Sequence, residues 1–430
     1  MSKPKLMVLC IDALCDTDIA YMKTLPHFGW MLENGSLVQQ VEPVYPALTY
    51  PCHVSILTGV YPCRHGIPHN EMVEPGVAHP PWYRLRRDVK AKYFLDYAKE
   101  HGYTTCALNW PLTGGAEFDL NMPMILPFGY EGDALPFYEG YATEELLDRY
   151  YWKYGWLLPN TKVSLDLYTM MLALDIIRDY NQPDVMLVKL CDLDSVRHDQ
   201  GVDTPSARRC LAWHDAQFGA LLESVRRYGD IDHTNFVVLG DHGQTDVERV
   251  LNFNRVLREH GLLSLDADGR LADYDAYCHS AGMSGWIQLK NPDDAATYNR
   301  VHQLLMSIKG DPRYAIDFVF TKAEAVEQFG LTGPFDFIIE STQPVSFGYV
   351  LADELFVKAS PGDYKTAMAT HGGLPQREHQ TTLFACGPSV RRGAVVERGR
   401  LVDEAPTMAH MLGFDMPDVD GRVIKEIVKD

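Results

Sequence analysis

The sequence predicts an α/β fold, a mostly parallel central sheet with helices on both faces and an inserted α+β cap. Three observations carry that expectation. Short aliphatic or β-branched runs alternate with helical patterns, as parallel strands joined by crossover helices require. Residues able to bind metal through oxygen or nitrogen stand just after several of those runs. A stretch of different texture, residues 257–362, separates two of these clusters.

In chain order, core strands are expected at residues 6–11, 104–108, 185–190, 235–239 and 382–385. Helices are expected at 88–101, 143–151, 164–180 and 206–228. Ligand sites in open α/β sheets gather at the carboxyl ends of strands. Asp12 follows the first strand, Asp194 the third and the Asp241-His242 pair the fourth, so all would arrive at one edge. Residues 257–362 offer strand-like pieces at 285–289, 316–320 and 335–340 and a helix near 295–308, but no ligand placed like the others. They read as the cap, with 1–256 and 363–430 as the catalytic core. Repeats, low-complexity tracts and flexible linkers are not evident.

The chain has 430 residues, 46% hydrophobic and 23% charged, which suits a soluble globular protein of more than one minimal domain. A formal net charge of −19 disfavours nucleic-acid polymers and anionic membranes as partners. A small phosphate ester remains compatible, because bound cations reverse the field inside a site. Nine scattered cysteines with no CxxC pair read neither as a disulfide framework nor as a thiolate zinc site. The opening run MSKPKLMVLCIDAL carries Asp12 and no small-residue cleavage signal, so it reads as a first strand. No run approaches the ~18 apolar residues of a membrane span, and a cytoplasmic location is expected.

Seven residues form the candidate site: Asp12, Thr49, Asp194, His198, Asp241, His242 and His371. Carboxylates with neutral imidazoles suit zinc, and seven ligands are too many for one tetrahedral ion but enough for two. Thr49 stands in VYPALTYPCHVSILTGVYP, where Pro51 suits a first helical turn and Gly59 an exit. A hydroxyl at a helix start meets unpaired N–H groups and a positive dipole, which favour an alkoxide and a phosphoryl group. The plainer alternative is a helix cap worth about 1 kcal/mol. In DSVRH, Asp194 and His198 lie four apart, on one face if helical. In DHG, a glycine permits a sharp turn after Asp241 and His242.

These pieces, with CIDAL, PALTYPCHVSILTGVYPCRHGIPHN, NWP, GDHG, ATHGG and DEAPTMAHMLGF, resemble the alkaline phosphatase superfamily, and most its type I phosphodiesterase/nucleotide pyrophosphatase family. The resemblance covers roughly the first 250 residues and the last 70. It implies one zinc on Asp12, Asp241, His242 and the Thr49 oxygen, and another on Asp194, His198 and His371. It further implies Thr49 as nucleophile, a phosphothreonine intermediate, and Asn70 as donor to a phosphoryl oxygen. Asp192 is expected to be structural. Arg197 and Arg64 depart from the family pattern and could grip an anion, though surface positions on helical turns are the stronger expectation for both. Phosphodiester or nucleotide pyrophosphate hydrolysis is the leading function. A phosphonoacetate-hydrolase-like C–P hydrolase and a phosphomonoesterase are the alternatives on the same site. A metal-binding module without catalysis would have no use for Thr49 or Asn70.

Overall fold

The computed structural model describes residues 3–127, 130, 132–351 and 353–429. Its central sheet contains β1 (Lys5–Ile11), β2 (Ser36–Glu42), β3 (Thr105–Leu108), β4 (Leu120–Met122), β5 (Val185–Leu190), β6 (Thr234–Leu239), β7 (Thr381–Cys386) and β8 (Val395–Arg400). The spatial order is β8-β2-β7-β6-β1-β5-β3-β4. β1 lies parallel to β5 and β6, β3 to β4 and β5, and β8 to β2. β7 runs antiparallel to both its neighbours, β2 and β6. The five strands expected from sequence are β1, β3, β5, β6 and β7. β2 and β8 escape that reading because Gln39, Gln40, Glu397 and Arg398 interrupt their apolar runs, and β4 is only three residues long.

Cover on both faces explains why the inner strands are largely apolar at successive positions, which point to opposite sides. Met7, Leu9 and Ile11 face one side, with Leu172 and Ile176 of α3 (Thr161–Asp179) and Phe218 and Leu221 of α5 (Pro205–Tyr228). Leu6, Val8 and Cys10 face the other. There they meet Val54 and Leu57 of α1 (Thr49–Thr58), Phe94 of α2 (Phe94–Glu100) and Met408 of α6 (Glu404–Met411). α2 is shorter than the expected 88–101 because Asp96 accepts from the Tyr93 N–H at 3.0 Å and starts the helix there. α4 (Asp192–Gln200) follows β5 directly.

A second sheet stands apart. Strands Ala276–Ser280, Ser284–Leu289, Phe337–Ser341 and Ile316–Thr321 pair antiparallel in that order, with a helix at Ala295–Ile308. One face packs Tyr277, Ile287 and Phe337 against Leu305 and against Phe253 and Val256. The other sets Trp286, Ile338 and Phe335 against Tyr45, Leu48 and Leu374, so the inserted sheet rests on the segment that leads into Thr49. Among the described residues no helix is long and apolar enough to cross a membrane.

Candidate metal centre and nucleophile

Parallel neighbours β1, β5 and β6 deliver Asp12, Asp194 and Asp241 to the same edge of the sheet, each just past its strand. His371 reaches that edge because β7 is reversed: the residues before it lie where residues after the parallel strands lie. A two-residue ladder between Ala369–Thr370 and Thr245–Asp246 then sets the His371 ring on His242, with centroids 3.7 Å apart. Gly372 has φ +95°, and a Cβ there would meet the Ala281 carbonyl oxygen at 1.9 Å. Gly243 is needed for room rather than for a sharp turn, since its Cβ would stand 2.0 Å from the His379 carbonyl oxygen.

The ligand atoms fall into two groups, Asp12–Asp241–His242 and Asp194–His242–His371, each within 4.8 Å of one another. His242 lies within reach of both groups. His198 joins through Asp194, its Nε2 lying 3.3 Å from Oδ2. Each imidazole has Nδ1 on a backbone carbonyl: His198 on Ala369 at 2.7 Å, His242 on Gly243 at 3.0 Å, His371 on Ala47 at 2.8 Å. Those bonds assign the proton to Nδ1 and leave the Nε2 lone pairs facing inward. Asp12 Oδ1 and Asp241 Oδ2 are buried without a hydrogen-bond donor, a state that destabilises unless a cation completes it. This nitrogen and oxygen set fits a divalent ion of the zinc type.

Three residues that the sequence reading did not single out as site residues hold the acids. Lys189 Nζ lies 2.7 Å from Asp12 Oδ2. His53 Nδ1 lies 2.8 Å from the Thr49 carbonyl oxygen and 3.2 Å from Asp241 Oδ2. Gln244 donates its amide to Asp194. Only Lys189 left a clear signal, a charge inside the apolar run VMLVKL. Against the upward push of burial, the imidazoles of His242 and His53 hold Asp241 well below the usual carboxylate range, and His198 and His371 do the same for Asp194. Burial and the neighbouring Asp241 push Asp12 upward, with Lys189 opposing them.

Thr49 is the first residue of α1, and its Oγ1 lies 3.1 Å from His242 Nε2. The helix ends at Gly59, in the left-handed region with φ +69°. The free donors expected at the helix start are not found at residues 50–52. The Tyr50 N–H donates to Asn70 Oδ1 at 2.8 Å, Pro51 has none, and the Cys52 N–H bonds the Leu48 carbonyl. With its oxygen so occupied, Asn70 offers its amide N–H groups. Beside this corner the rings of Tyr50 and Trp82 meet at 5.2 Å, Trp82 and Tyr364 at 6.0 Å, and Tyr364 and His371 at 6.0 Å.

Neither arginine faces the site. Arg64 pairs with Asp420 at 2.7 Å and Asp418 at 2.8 Å near the surface. Arg197 is buried, contrary to the surface expectation. It donates to the Ala13 carbonyl, to Asp18 at 2.6 Å and to the Val202 carbonyl at 3.2 Å, pinning the loop after β1. Asp192 lies outside both groups. Burial and the adjacent Asp166 push it up to about 8, while Asp166 accepts from the Cys191 and Asp192 N–H groups at the start of α4.

Sheet and site together define an alkaline-phosphatase-like α/β protein with a candidate nitrogen/oxygen metal-binding cluster beside an alcohol. The profile of the type I phosphodiesterase / nucleotide pyrophosphatase family matches residues 6–323, and the chain belongs to that family. It is 22% identical over 406 residues to ectonucleotide pyrophosphatase/phosphodiesterase family member 7 of Rattus norvegicus, covering 92% of this chain and 80% of that protein. It is 24% identical to family member 5 of Homo sapiens, covering 56% of this chain and 45% of that protein. The match to a Caenorhabditis elegans relative, also 24% identical, covers 61% of this chain and 28% of that protein. Human ectonucleotide pyrophosphatase / phosphodiesterase 5 superposes with a TM-score of 0.67 at 18% identity, covering 97% of each chain. The murine counterpart gives 0.65 at 19% identity, covering 96% of each.

Proposed function

We propose that the chain is a metal-dependent hydrolase of phosphodiester or nucleotide pyrophosphate bonds, with Thr49 as nucleophile and two zinc ions as cofactors. The observation that carries this reading is the Thr49 hydroxyl, 3.1 Å from the Nε2 of the one histidine common to both ligand groups. Asp12, Asp241 and His242 would hold one ion, with the Thr49 oxygen completing the set. Asp194, His371 and His198 would hold the other, sharing the edge with His242. When bound, these cations would supply the Lewis acidity that lowers the pKa of the threonine hydroxyl and of a water and offsets phosphoryl charge.

Thr49 Oγ attacks phosphorus in line, forming a phosphothreonine as the bond to the leaving oxygen breaks. Water then attacks the phosphothreonine, releasing the phosphoryl group and restoring the hydroxyl. The start of α1 favours negative charge on the threonine oxygen. Asn70, fixed through its Oδ1, donates to a non-bridging oxygen; loss of one such donor costs about 100-fold in rate. The murine structure with AMP bound is described as an inactive threonine-to-alanine variant, which supports both the nucleophile and a nucleotide-like substrate. Diesters are preferred over phosphonoacetate and monoesters because neither Arg64 nor Arg197 is available to grip a second anionic group. A cytoplasmic location is proposed with this activity, supported by nine free cysteines.

The test is a parallel assay with added zinc on bis-p-nitrophenyl phosphate, a nucleoside-5′ p-nitrophenyl phosphate, p-nitrophenyl phosphate and phosphonoacetate. The two diesters are expected to be turned over fastest. Monoester or phosphonate turnover equal to theirs would reject the diester assignment.

A further inference from the structure

Lys189 is the penultimate residue of β5, a strand between β1 and β3, and its side chain is 0% exposed. Burying an ammonium there costs several kcal/mol, and a methionine of similar length would fill the space without that penalty. Its donors reach one strong acceptor, Asp12 Oδ2 at 2.7 Å, and two weak ones, Cys191 Sγ at 3.2 Å and Met124 Sδ at 3.5 Å. The cation is therefore aimed at Asp12. It divides that carboxylate, because Oδ2 is occupied while Oδ1 has no donor and lies 3.4 Å from His242 Nε2.

The other group is held differently. Asp194 accepts from the neutral amide of Gln244 and sits beside His198, with no lysine or arginine paired to it among the described residues. With neutral imidazoles the two groups then carry equal formal charge. Two carboxylates less one ammonium stand on one side, and a single carboxylate stands on the other.

We propose that Lys189 is a positioning residue that makes Asp12 a one-oxygen ligand and weakens the hold of the Asp12–Asp241 pair on its cation. A fixed positive charge one carboxylate away from a divalent ion opposes binding directly, whereas the hydrogen bond orients the ligand. The charge is the larger effect, so removing it tightens binding. The assignment rests on the reading of Asp12, Asp241 and His242 as metal ligands.

Zinc affinity measured by chelator competition tests it, with melting curves to confirm folding. Lys189→Met and Lys189→Gln are each expected to hold one zinc, that of the Asp12–Asp241 pair, at least about tenfold more tightly than wild type. Gln keeps a neutral donor for Asp12, so it carries the test if the Met variant does not fold. Unchanged or weaker zinc binding in folded Lys189→Gln overturns the proposal. If wild type binds zinc and hydrolyses diesters while the variants are unaffected, this assignment alone falls. If wild type does neither, the reading of the centre falls with it.

Discussion

The sheet edge and the junction beneath the inserted sheet both bury acids, and they do so in opposite ways. At the edge, Asp194 and Asp241 are held ionised against burial by imidazoles. At the junction, burial pushes Glu340 up to about 8 against the Tyr45 hydroxyl and the Leu374 backbone, and pushes Glu378 well above the usual range. Tyr45 donates to Glu340 at 2.6 Å, and the Gly373 N–H donates to Glu378 at 2.7 Å. Acids kept charged beside imidazole nitrogens suit a cation. Acids kept neutral are hydrogen-bonding groups that seat one sheet on another. Burial alone does not distinguish the two roles; the neighbours do.

Replacing the nucleophile separates chemistry from the acids. Thr49→Ala is expected to lower turnover by about 10⁴-fold or more while zinc stoichiometry, measured by atomic absorption, stays at the wild-type value. Retained turnover would end the covalent mechanism. The contrast itself is sharpest in carboxyl-to-amide exchanges. Asp241→Asn is expected to lower kcat/KM by about 10³-fold, as the loss of several kcal/mol of Lewis-acid stabilisation implies. Gln244→Leu, which frees an Asp194 oxygen, should weaken zinc binding by about tenfold in the same chelator competition.

The junction should respond least. Glu340→Gln is expected to keep activity within about twofold, because the native side chain is already neutral near pH 7. Its signature is in stability. An unfolded glutamate titrates near 4.3, so between about 4.3 and 8 the folded state holds a proton that the unfolded state has lost. Stability from this group therefore falls as pH rises through that window. The Tm of Glu340→Gln relative to wild type should therefore rise as pH goes from 5 to 8, since the variant lacks this pH-dependent loss. A Glu340→Gln loss of activity equal to that of Asp241→Asn would erase the distinction between the two regions.

Much of the edge was legible because strand ends are visible in a sequence. An apolar run that stops at Asp12 or Asp241 marks both the strand and the candidate ligand, whereas Asp194, four residues past β5, is singled out over Asp192 only by the family resemblance. What was not legible depends on partners distant in the chain. His53 meets Asp241 only after the helix has packed on the sheet, and Gln244 reaches Asp194 across a turn. The sharing of His242 between two groups follows from the reversed β7, whose direction no local pattern reveals. Arg197 looked like a surface residue because a charge on a short helix usually is one; its burial needs Asp18 and the Ala13 carbonyl to receive it.

The place of His371 in the chain also orders events in time. During synthesis the ribosome releases Asp12, Thr49, Asp194, His198, Asp241 and His242 well before His371, which waits on the more than one hundred residues of the intervening sheet. A nascent chain stopped short of that point holds the carboxylates without the last imidazole. If His371 is a ligand as proposed, metallation would be a late step, completed once the inserted sheet has emerged and the chain has turned back beside β6.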